Sequence, residues 1–581
     1  MDSENGALRT PVLILFLLAA VWIAALLQRG LPLAPDELEF FRATRWTSLG
    51  QLPFRDFWEH HTPLQWLMFA PVARLASGAG ANAVVLMRWA QVSLWIATLW
   101  MLVAIARRAG ARACGWAFAL LLLLLSPTFL ARALEYRVDV PGHFFFVAAI
   151  YCTFSRRWIA FGALMSAAVL ANMRLAPLVM FAGALALFWP RWNPRALRMA
   201  IGIVAVVAAF FAYLAATGSM PGFIEGVIGY NRLSSHVLAV RTFADALFAP
   251  FMTFDLAGIV FWLAGAAGAV LALREFHERG PLQFLAMIAI ASVAAVAAMQ
   301  VQYDYHFQTT WVLLLPLAAR AIERLPQPRW RHLAVTAGIA GWLIGIARLA
   351  PDFGAAMRYQ NDVMLAADRL TSPGETVFDG GGYALRRAPA WEYWFLTTGV
   401  RFLALRGAIP RYDAAQMAAH PPAAIIAAYR LILYLQLLPR LQAYALRHYI
   451  PVYRNLWIPG MTATVGPSPS RFIWTAPRAG TYDVIVSDLL AKHPWFTRPV
   501  EAVTTIGPRA AQLEIPLARL PHSDANLQWR VDGAPVAGSS LALRKGARVE
   551  LTGTAPVATG ILLVPHGITN LFIAPEEEIV F

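Results

Sequence analysis

About eleven apolar runs, separated by short polar breaks, occupy roughly the first 350 residues, and no soluble fold accommodates such a pattern. They are Pro11–Gln28, Val84–Ala106, Ala113–Leu130, Val140–Phe154, Ile159–Ala171, Leu175–Phe188, Met199–Ala216, Phe248–Leu273, Leu282–Met299, Thr309–Ile322 and Leu333–Leu349. A membrane helix needs roughly 20 mostly apolar residues at about 1.5 Å rise each. The least regular region is Ile159–Phe188, which Asn172, Arg174 and Pro177 interrupt. With 59% hydrophobic and 14% charged residues, the chain lacks the charge to clothe a soluble surface of this size. The first run is too long for a signal-peptide core and no small-residue cleavage site follows it, so a retained signal-anchor helix is expected.

The formal charge of +15 would point to nucleic acid in a soluble protein. Here the arginines gather in short loops between apolar runs, and no nucleic-acid-binding motif accompanies them. Arg107, Arg108 and Arg112, Arg156 and Arg157, Arg191, Arg195 and Arg198, Arg274 and Arg279, and Arg324, Arg329 and Arg331 form these basic loops. The positive-inside rule puts them in the cytoplasm, with the N-terminus inside and the region after Leu349 outside. The loops 31–82, 131–139, 217–247 and 300–308 then share the outer face, and together they hold nearly every acidic or histidine residue of chemical interest. Cys114 and Cys152 are the two cysteines, too few for a disulfide framework or a cysteine metal site.

After Leu349 prolines, glycines and polar residues rise and the spans end. Residues 352–451 read as mixed α/β, with a strand at Glu375–Phe378 and helices at Ala414–Ala419 and Leu438–His448. Short alternating runs follow at Arg471–Thr475, Tyr482–Ser487, Gln512–Ile515, Leu527–Val531, Arg548–Leu551 and Gly560–Val564, with an Asp532-Gly533 turn among them. That pattern predicts a β-sandwich. Leu431–Leu438 is too short for a further span and reads as buried strand or helix. The expected division is 1–350 for the membrane domain, 351–460 for the α/β region and 461–581 for the β-rich region. The Asp379-Gly380-Gly381-Gly382 segment lacks the lysine of a phosphate loop and reads as a turn.

Chemistry concentrates in the first outer loop. Asp36 and Glu37 directly follow the first run, and Glu39 and Arg42 come within the next two helical turns. Further on stand Asp56, Trp58, Glu59, His60, His61, Pro63 and Leu64. Phe40, Phe41, Trp46, Phe54, Phe57 and Trp66 surround them. A carboxylate held against such rings is partly desolvated and becomes more basic, which suits a general base. An acidic pair after the first transmembrane helix, then Trp-x-x-His-x-Pro-Leu, resembles the GT-C glycosyltransferases. The pattern is most similar to protein O-mannosyltransferases and to bacterial transferases that place aminoarabinose on lipid A. The likeness covers roughly the first 350 residues. It implies that Asp36 carries catalysis with Glu37 as its partner. Two features depart from the aminoarabinose transferases: His61 or His60 replaces their lysine, and Glu39 replaces an arginine, whose place Arg42 could take.

The second outer loop carries Arg132, Glu135, Arg137 and Asp139, with Pro141 opening the next run. Charges this close to a bilayer are costly unless paired or used. The resemblance assigns Asp139 as a second catalytic acid, with Glu135 and Arg137 beside it. Tyr303 and His306 lie in a later loop, and Glu225, Tyr230, Asn231, Arg232, His236 and Arg241 are further phosphate candidates. The expected fold is therefore a multi-pass α-helical bundle of the GT-C type, followed by an extracytoplasmic α/β and β-sandwich-like region. The expected activity moves a sugar, with inversion, from a polyprenyl-phosphate donor to a lipid, glycan or protein acceptor at a bacterial inner membrane. Asp36 is the base. Arg42, Asp56, Glu59, His60, His61, Glu135, Arg137, Tyr303 and His306 form the substrate-binding set. A divalent metal on Asp36, Glu37, Asp56, Glu59, His60, His61 or Asp139 is left open. A transporter or flippase would need polar groups inside the spans, and a non-catalytic assembly protein is the other alternative.

Overall fold

Apolar length sets the architecture of the N-terminal half. The computed structural model describes residues 2–189, 196–235, 243–275, 280–299, 303–325, 328–349, 353–453, 455–492 and 513–573. The chain divides into two units, Met1–Ser77 with Asn82–Ala355, and Gly78–Ala81 with Ala356–Phe581.

The first unit is helical. In chain order its main helices are α1 (Asp2–Ala25), α2 (Pro35–Ser48), α3 (Leu64–Leu75), α4 (Asn82–Arg108), α5 (Ala113–Leu124), α6 (Pro127–Ala133), α7 (Asp139–Phe154), α8 (Trp158–Ala171), α9 (Ala176–Phe188), α10 (Ala196–Thr217), α11 (Leu256–Arg274), α12 (Pro281–Ala297), α13 (Gln308–Glu323) and α14 (Pro328–Leu349). Two wide π-helical turns, Leu26–Gly30 and Ile224–Tyr230, precede α2 and follow α10. Four helical segments among the described residues are long and apolar enough to cross a membrane: Leu13–Gly30, Asn82–Arg108, Ala196–Thr217 and Leu256–Arg274. The bent pair α5 and α6, kinked by 72°, makes a fifth. Five further apolar helices are shorter, so length and composition alone mark four or five crossings among the described residues and do not confirm the expected count of about eleven.

The reasons are local. The run Ala113–Leu130 breaks where Ser126 caps α6 and Pro127 opens it. The runs Ile159–Ala171 and Leu175–Phe188, already separate in the sequence, are parted at Asn172, which caps a 3₁₀ turn. Helix α13 is buried on nearly every side and carries Pro316 in its interior, so it sits enclosed by its neighbours rather than facing lipid. Its Trp311, Leu313 and Leu317 belong to a core shared with Phe118, Phe146, Phe261 and Phe284. Helices α8 and α10 approach through Gly162 and Gly202: a methyl group on Gly162 would strike the Met199 carbonyl, and one on Gly202 the Ile159 carbonyl. Small residues allow such backbone contact within a membrane, where no hydrophobic force drives helices together.

The second unit begins with α15 (Ala355–Leu370), an amphipathic helix that buries Met357, Val363, Met364 and Ala367. A five-stranded sheet follows, built of β1 (Thr376–Phe378), β2 (Ala388–Pro389), β3 (Ala424–Ile426), β4 (Tyr449–Tyr453) and β5 (Leu456–Pro459) in the order β2-β1-β3-β5-β4. Strands β2, β1 and β3 run parallel, whereas β5 pairs antiparallel with β3 and β4. Asp379 closes the loop after β1 by accepting the Gly382 and Ala384 amides at 3.0 and 2.7 Å. Residues 431–438 lie on and just beyond a helix, Tyr429–Gln436.

Ten further strands are β6 (Met461–Val465), β7 (Ser470–Thr475), β8 (Gly480–Ser487), β9 (Leu513–Pro516), β10 (Asn526–Val531), β11 (Ala534–Val536), β12 (Ser540–Leu543), β13 (Arg548–Thr554), β14 (Thr559–Pro565) and β15 (Asn570–Ile573). They form sheets of order β11-β10-β13-β7 and β12-β8-β14-β6, with a separate β15-β9 pair. Alternating inward residues, among them Trp474, Tyr482, Trp529, Val549, Leu551, Ile561 and Leu563, fill the space between the sheets. Asp532 and Gly533 both take positive φ, the geometry of a tight hairpin between β10 and β11. The strand expected from Gln512 starts outside the described residues, and its described part is β9.

The α8–α10 contact is testable. Gly162→Leu is expected to lower the melting temperature of the detergent-solubilised protein, because the helix backbones must part. Gly183→Leu meets open space and is expected to leave the temperature unchanged.

Candidate functional site

The site begins at the N-terminus of α2. Ala34 is extended and Pro35 stands in the first turn, which places Asp36 and Glu37 at the positive end of the helix dipole. Their roles then separate. Glu37 is fully buried. It accepts the Ala34 amide at 3.0 Å and the Tyr136 amide at 2.7 Å. Arg88 of α4 donates to both of its oxygens, at 2.7 and 2.5 Å. The same arginine donates to the Leu31 and Pro32 carbonyls at 3.0 and 2.9 Å. Glu37 thus bolts α2, α4 and the second outer loop together. Its acceptor capacity is engaged, which does not fit the catalytic partnership with Asp36 expected from the sequence.

One turn along α4, Gln91 clamps the second outer loop. Its Nε2 donates to the Arg137 carbonyl at 2.7 Å and its Oε1 accepts the Arg137 amide at 3.1 Å. The Arg137 guanidinium, so placed, meets Asp36 Oδ2 at 3.1 Å, Glu135 Oε2 at 3.0 Å and Asp139 Oδ2 at 3.0 Å. The Tyr305 ring covers it, with Cζ 4.2 Å from the ring centroid. Burial opposes its charge, but Asp36, Asp139 and Glu135 hold its pKa well above the ordinary arginine value. Segments from three outer loops therefore meet at one cation. Side-chain exposure distinguishes the carboxylates: 27% for Asp36, 8% for Glu135 and 6% for Asp139. Burial raises the pKa of Glu135 against the pull of Arg132 and Arg137. Arg132 pairs with Glu135 at 2.8 Å and reaches Asp304 at 3.6 Å.

Arg137 was expected to bind phosphate, but it is buried and surrounded by carboxylates. Arg174 has a different setting. Asn172 donates to Asp139 Oδ1 at 2.8 Å and accepts the Arg174 amide at 3.1 Å. Arg174 is exposed, sits 5.7 Å from the Tyr305 ring and forms no salt bridge among the described residues. In the sequence this stretch stands only as an interruption between two apolar runs. The signal was present: a guanidinium between two apolar segments is costly unless used, and the alternation of loops puts it on the outer face. Asp139, Asn172, Arg174, Tyr305, His306 and Thr309 line one part of a small cavity, and apolar side chains such as Leu175, Val296 and Met299 line the rest. An apolar groove lined by Pro177, Leu178, Phe181, Met287 and Ile290 adjoins it through Leu178 and Ala295.

Tyr303 and His306 do reach this region. The Tyr303 amide donates to His306 Nδ1 at 3.3 Å, and its ring stacks on Tyr305 with centroids 5.1 Å apart. Burial pushes the Tyr305 phenol up to about 12 and the His306 imidazole down to about 3, with Arg174 adding to the latter. Arg42 of α2 is fully buried with its guanidinium 4.9 Å from the Trp46 ring, so it does not stand in as an open phosphate contact. Asp56 is taken up by Arg55 at 2.8 Å and by the Leu52 amide at 2.7 Å on an exposed loop. His236 and Arg241 lie outside the described residues. Glu225 and Arg232 are exposed.

Glu59, His60 and His61 gather at a second focus, joined by Glu39 of α2. Glu59 Oε1 accepts the His60 and His61 amides at 2.8 and 3.2 Å. Burial and the neighbouring His61 push His60 down to about 4, so its ring is neutral. The Ile224–Tyr230 turn packs against this loop, and a methyl group on Gly226 would strike the Glu59 carbonyl. These four side chains could hold a divalent cation. Of the other carboxylates considered as ligands, Asp36 and Asp139 face Arg137, Glu37 faces Arg88 and Asp56 faces Arg55.

No family model and no curated protein matches this chain. Among solved structures, it is similar to ArnT from Cupriavidus metallidurans in the apo state, at 14% identity over 78% of this chain and 98% of that one, with a TM-score of 0.51. The same protein bound to undecaprenyl phosphate matches at 14% identity over 93% and 97%, with a TM-score of 0.46. The oligosaccharyltransferase of Archaeoglobus fulgidus in the apo form matches at 12% identity over 76% and 73%, with a TM-score of 0.40. The first of these likenesses shows a shared fold, apolar helices followed by a sheet region.

Two outcomes follow from the site's electrostatics. Removing one partner of the buried Glu37–Arg88 pair, as in Arg88→Met, is expected to destabilise the protein by about 3–5 kcal/mol, and the double variant Glu37→Leu/Arg88→Met to recover much of that. Thermal unfolding of the three proteins checks it. His306 is held neutral in the fold, so its contribution is intact above its ordinary pKa of 6.5 and is lost as pH falls from there toward 3. Wild type is expected to lose stability over that window relative to His306→Gln, by up to about 1.4 kcal/mol per pH unit, as read from melting temperatures of both proteins across pH.

Proposed function

We propose that this chain is a membrane glycosyltransferase that moves a sugar from a polyprenyl-phosphate carrier to an acceptor on the extracytoplasmic face. The observation that carries this reading is the Arg137 constellation: it holds the accessible carboxylate of Asp36 among Asp139, Tyr305 and Arg174, next to an apolar groove. The fold shared with ArnT supports it.

Asp36 is the general base. It takes the proton from an acceptor hydroxyl or amine, whose lone pair attacks the anomeric carbon as the bond to the phosphate oxygen breaks. The bonding pair leaves with the phosphate, and a single displacement inverts the anomeric centre. Arg174 offers the planar fork that suits the departing phosphate. His306 and Tyr303 line the sugar side. Arg137, Glu135 and Asp139 position Asp36, and Glu37 positions α2. The groove along α9 and α12 receives the isoprenoid tail, so that tail and phosphate are bound in adjoining spaces. Residues 1–350 carry the catalysis, and 351–460 and 461–581 form the outer domains, in the periplasm of a bacterium whose inner membrane holds the bundle. The arginine-rich loops and the cytoplasmic N-terminus they imply support that orientation. Lipid, glycan and protein remain the acceptor classes.

Purified protein incubated with radiolabelled polyprenyl-phosphate sugars and a membrane extract is expected to move label off the carrier. Asp36→Asn is expected to lower that rate by about 10²–10⁴-fold while carrier binding persists. Arg174→Gln is expected to weaken carrier binding about tenfold to a hundredfold, the loss of one charged hydrogen bond. Label that stays on every carrier tested, with each acceptor fraction, overturns the reading.

A further inference from the structure

We infer that Glu39, Glu59, His60 and His61 form a closed, four-ligand site for a divalent cation of the zinc class. The inference is independent of the transferase reading. It starts from spacing. His60 Nδ1 lies 3.3 Å from Glu39 Oε1 and 3.3 Å from Glu59 Oε1. His61 Nδ1 lies 3.7 and 3.0 Å from the same two oxygens. A tetrahedral zinc ion with bonds of about 2.0–2.1 Å spaces its ligand atoms about 3.3–3.4 Å apart. The four observed edges straddle that value, and the ligand atoms all lie within 4.8 Å of one another.

Hydrogen bonding supplies a second observation. His60 Nδ1 and Glu59 Oε2 are buried and have no hydrogen-bond partner. Glu59 is 1% exposed. A buried nitrogen that faces two carboxylate oxygens without a hydrogen bond lacks the partner that burial demands. A dication among these atoms supplies it, and it balances the two carboxylate charges, leaving a neutral cluster in a dry setting.

The surroundings hold the rings in place. Trp58 stacks on His60 with centroids 5.4 Å apart, and Tyr230 meets the same ring edge-on at 5.0 Å. Phe40 meets His61 at 5.0 Å. Asn231 Nδ2 donates to the His60 carbonyl at 2.8 Å. Four protein ligands leave no open position, the mark of a structural rather than a catalytic ion. The ion would fasten the loop before α3 to α2 at Glu39, one helical turn from Asp36.

The test uses untagged, full-length protein purified in detergent without chelator. Elemental analysis is expected to find about one zinc per chain after dialysis against micromolar zinc. Chelation is expected to lower the melting temperature, and added zinc to restore it. Cobalt substitution is expected to give the intense visible absorption of a tetrahedral centre. Glu59→Gln and His61→Ala are expected to lose the metal, whereas Asp56→Asn keeps it. Zinc below about a tenth of the chain concentration, a weak octahedral cobalt spectrum, or full zinc retention in Glu59→Gln and His61→Ala would overturn the proposal. If those two variants do not fold, the stripped and refilled wild type and its cobalt spectrum decide the matter.

Discussion

A single buried guanidinium organises the outer end of the helical unit. Arg137 is charged, nearly inaccessible and shared by Asp36, Glu135 and Asp139. Burying any one of these groups alone would be strongly unfavourable, and removing one would leave the others uncompensated. The cluster therefore holds only as a whole. Its carboxylates outnumber its central cation, and Arg132 and the nearby Arg174 offset the excess. Because the members come from α2, the loop after α6 and the start of α7, the charge balance locks those three segments in one arrangement.

A second constraint lies behind the first. The Glu37–Arg88 pair and the Gln91 clamp fix where the second outer loop runs, through the Tyr136 amide and the Arg137 backbone. Adjacent carboxylates in the sequence thus have opposite uses. Asp36 pairs with Arg137 and stays partly accessible, whereas Glu37 is enclosed and serves the frame. Helix α2 also connects two chemical centres, since Asp36 and Glu39 are three residues apart, with an arginine-bound cluster at one and a histidine-bound cluster at the other.

Much of the frame was legible in the sequence. The strand-like runs of the C-terminal third fall on β7, β8, β9, β10, β13 and β14, because period-two alternation reports a half-buried sheet directly. The acids, histidines and aromatics that crowd after the first span fall on the segment where Asp36 meets Arg137 and where Glu39, Glu59, His60 and His61 gather. The crossings were harder to count. An apolar run does not reveal whether a capping serine inside it starts a new helix, and Ser126 does so within Ala113–Leu130. Composition alone also hid that α13 is enclosed by other helices.

What the sequence determined by itself was apolar length, charge placement and local capping, since each depends on residues within a turn or two of one another. It therefore determined that apolar helices make up the N-terminal part and strands the C-terminal part, with the charged residues clustered between the apolar runs. Only the tertiary structure decided which carboxylate is accessible, which arginine is engaged and which is open. Those assignments depend on pairs such as Glu37 with Arg88, 51 residues apart, and Asp36 with Arg137, 101 residues apart. The energy of an ion pair depends on distance and burial, neither of which is set by position along the chain.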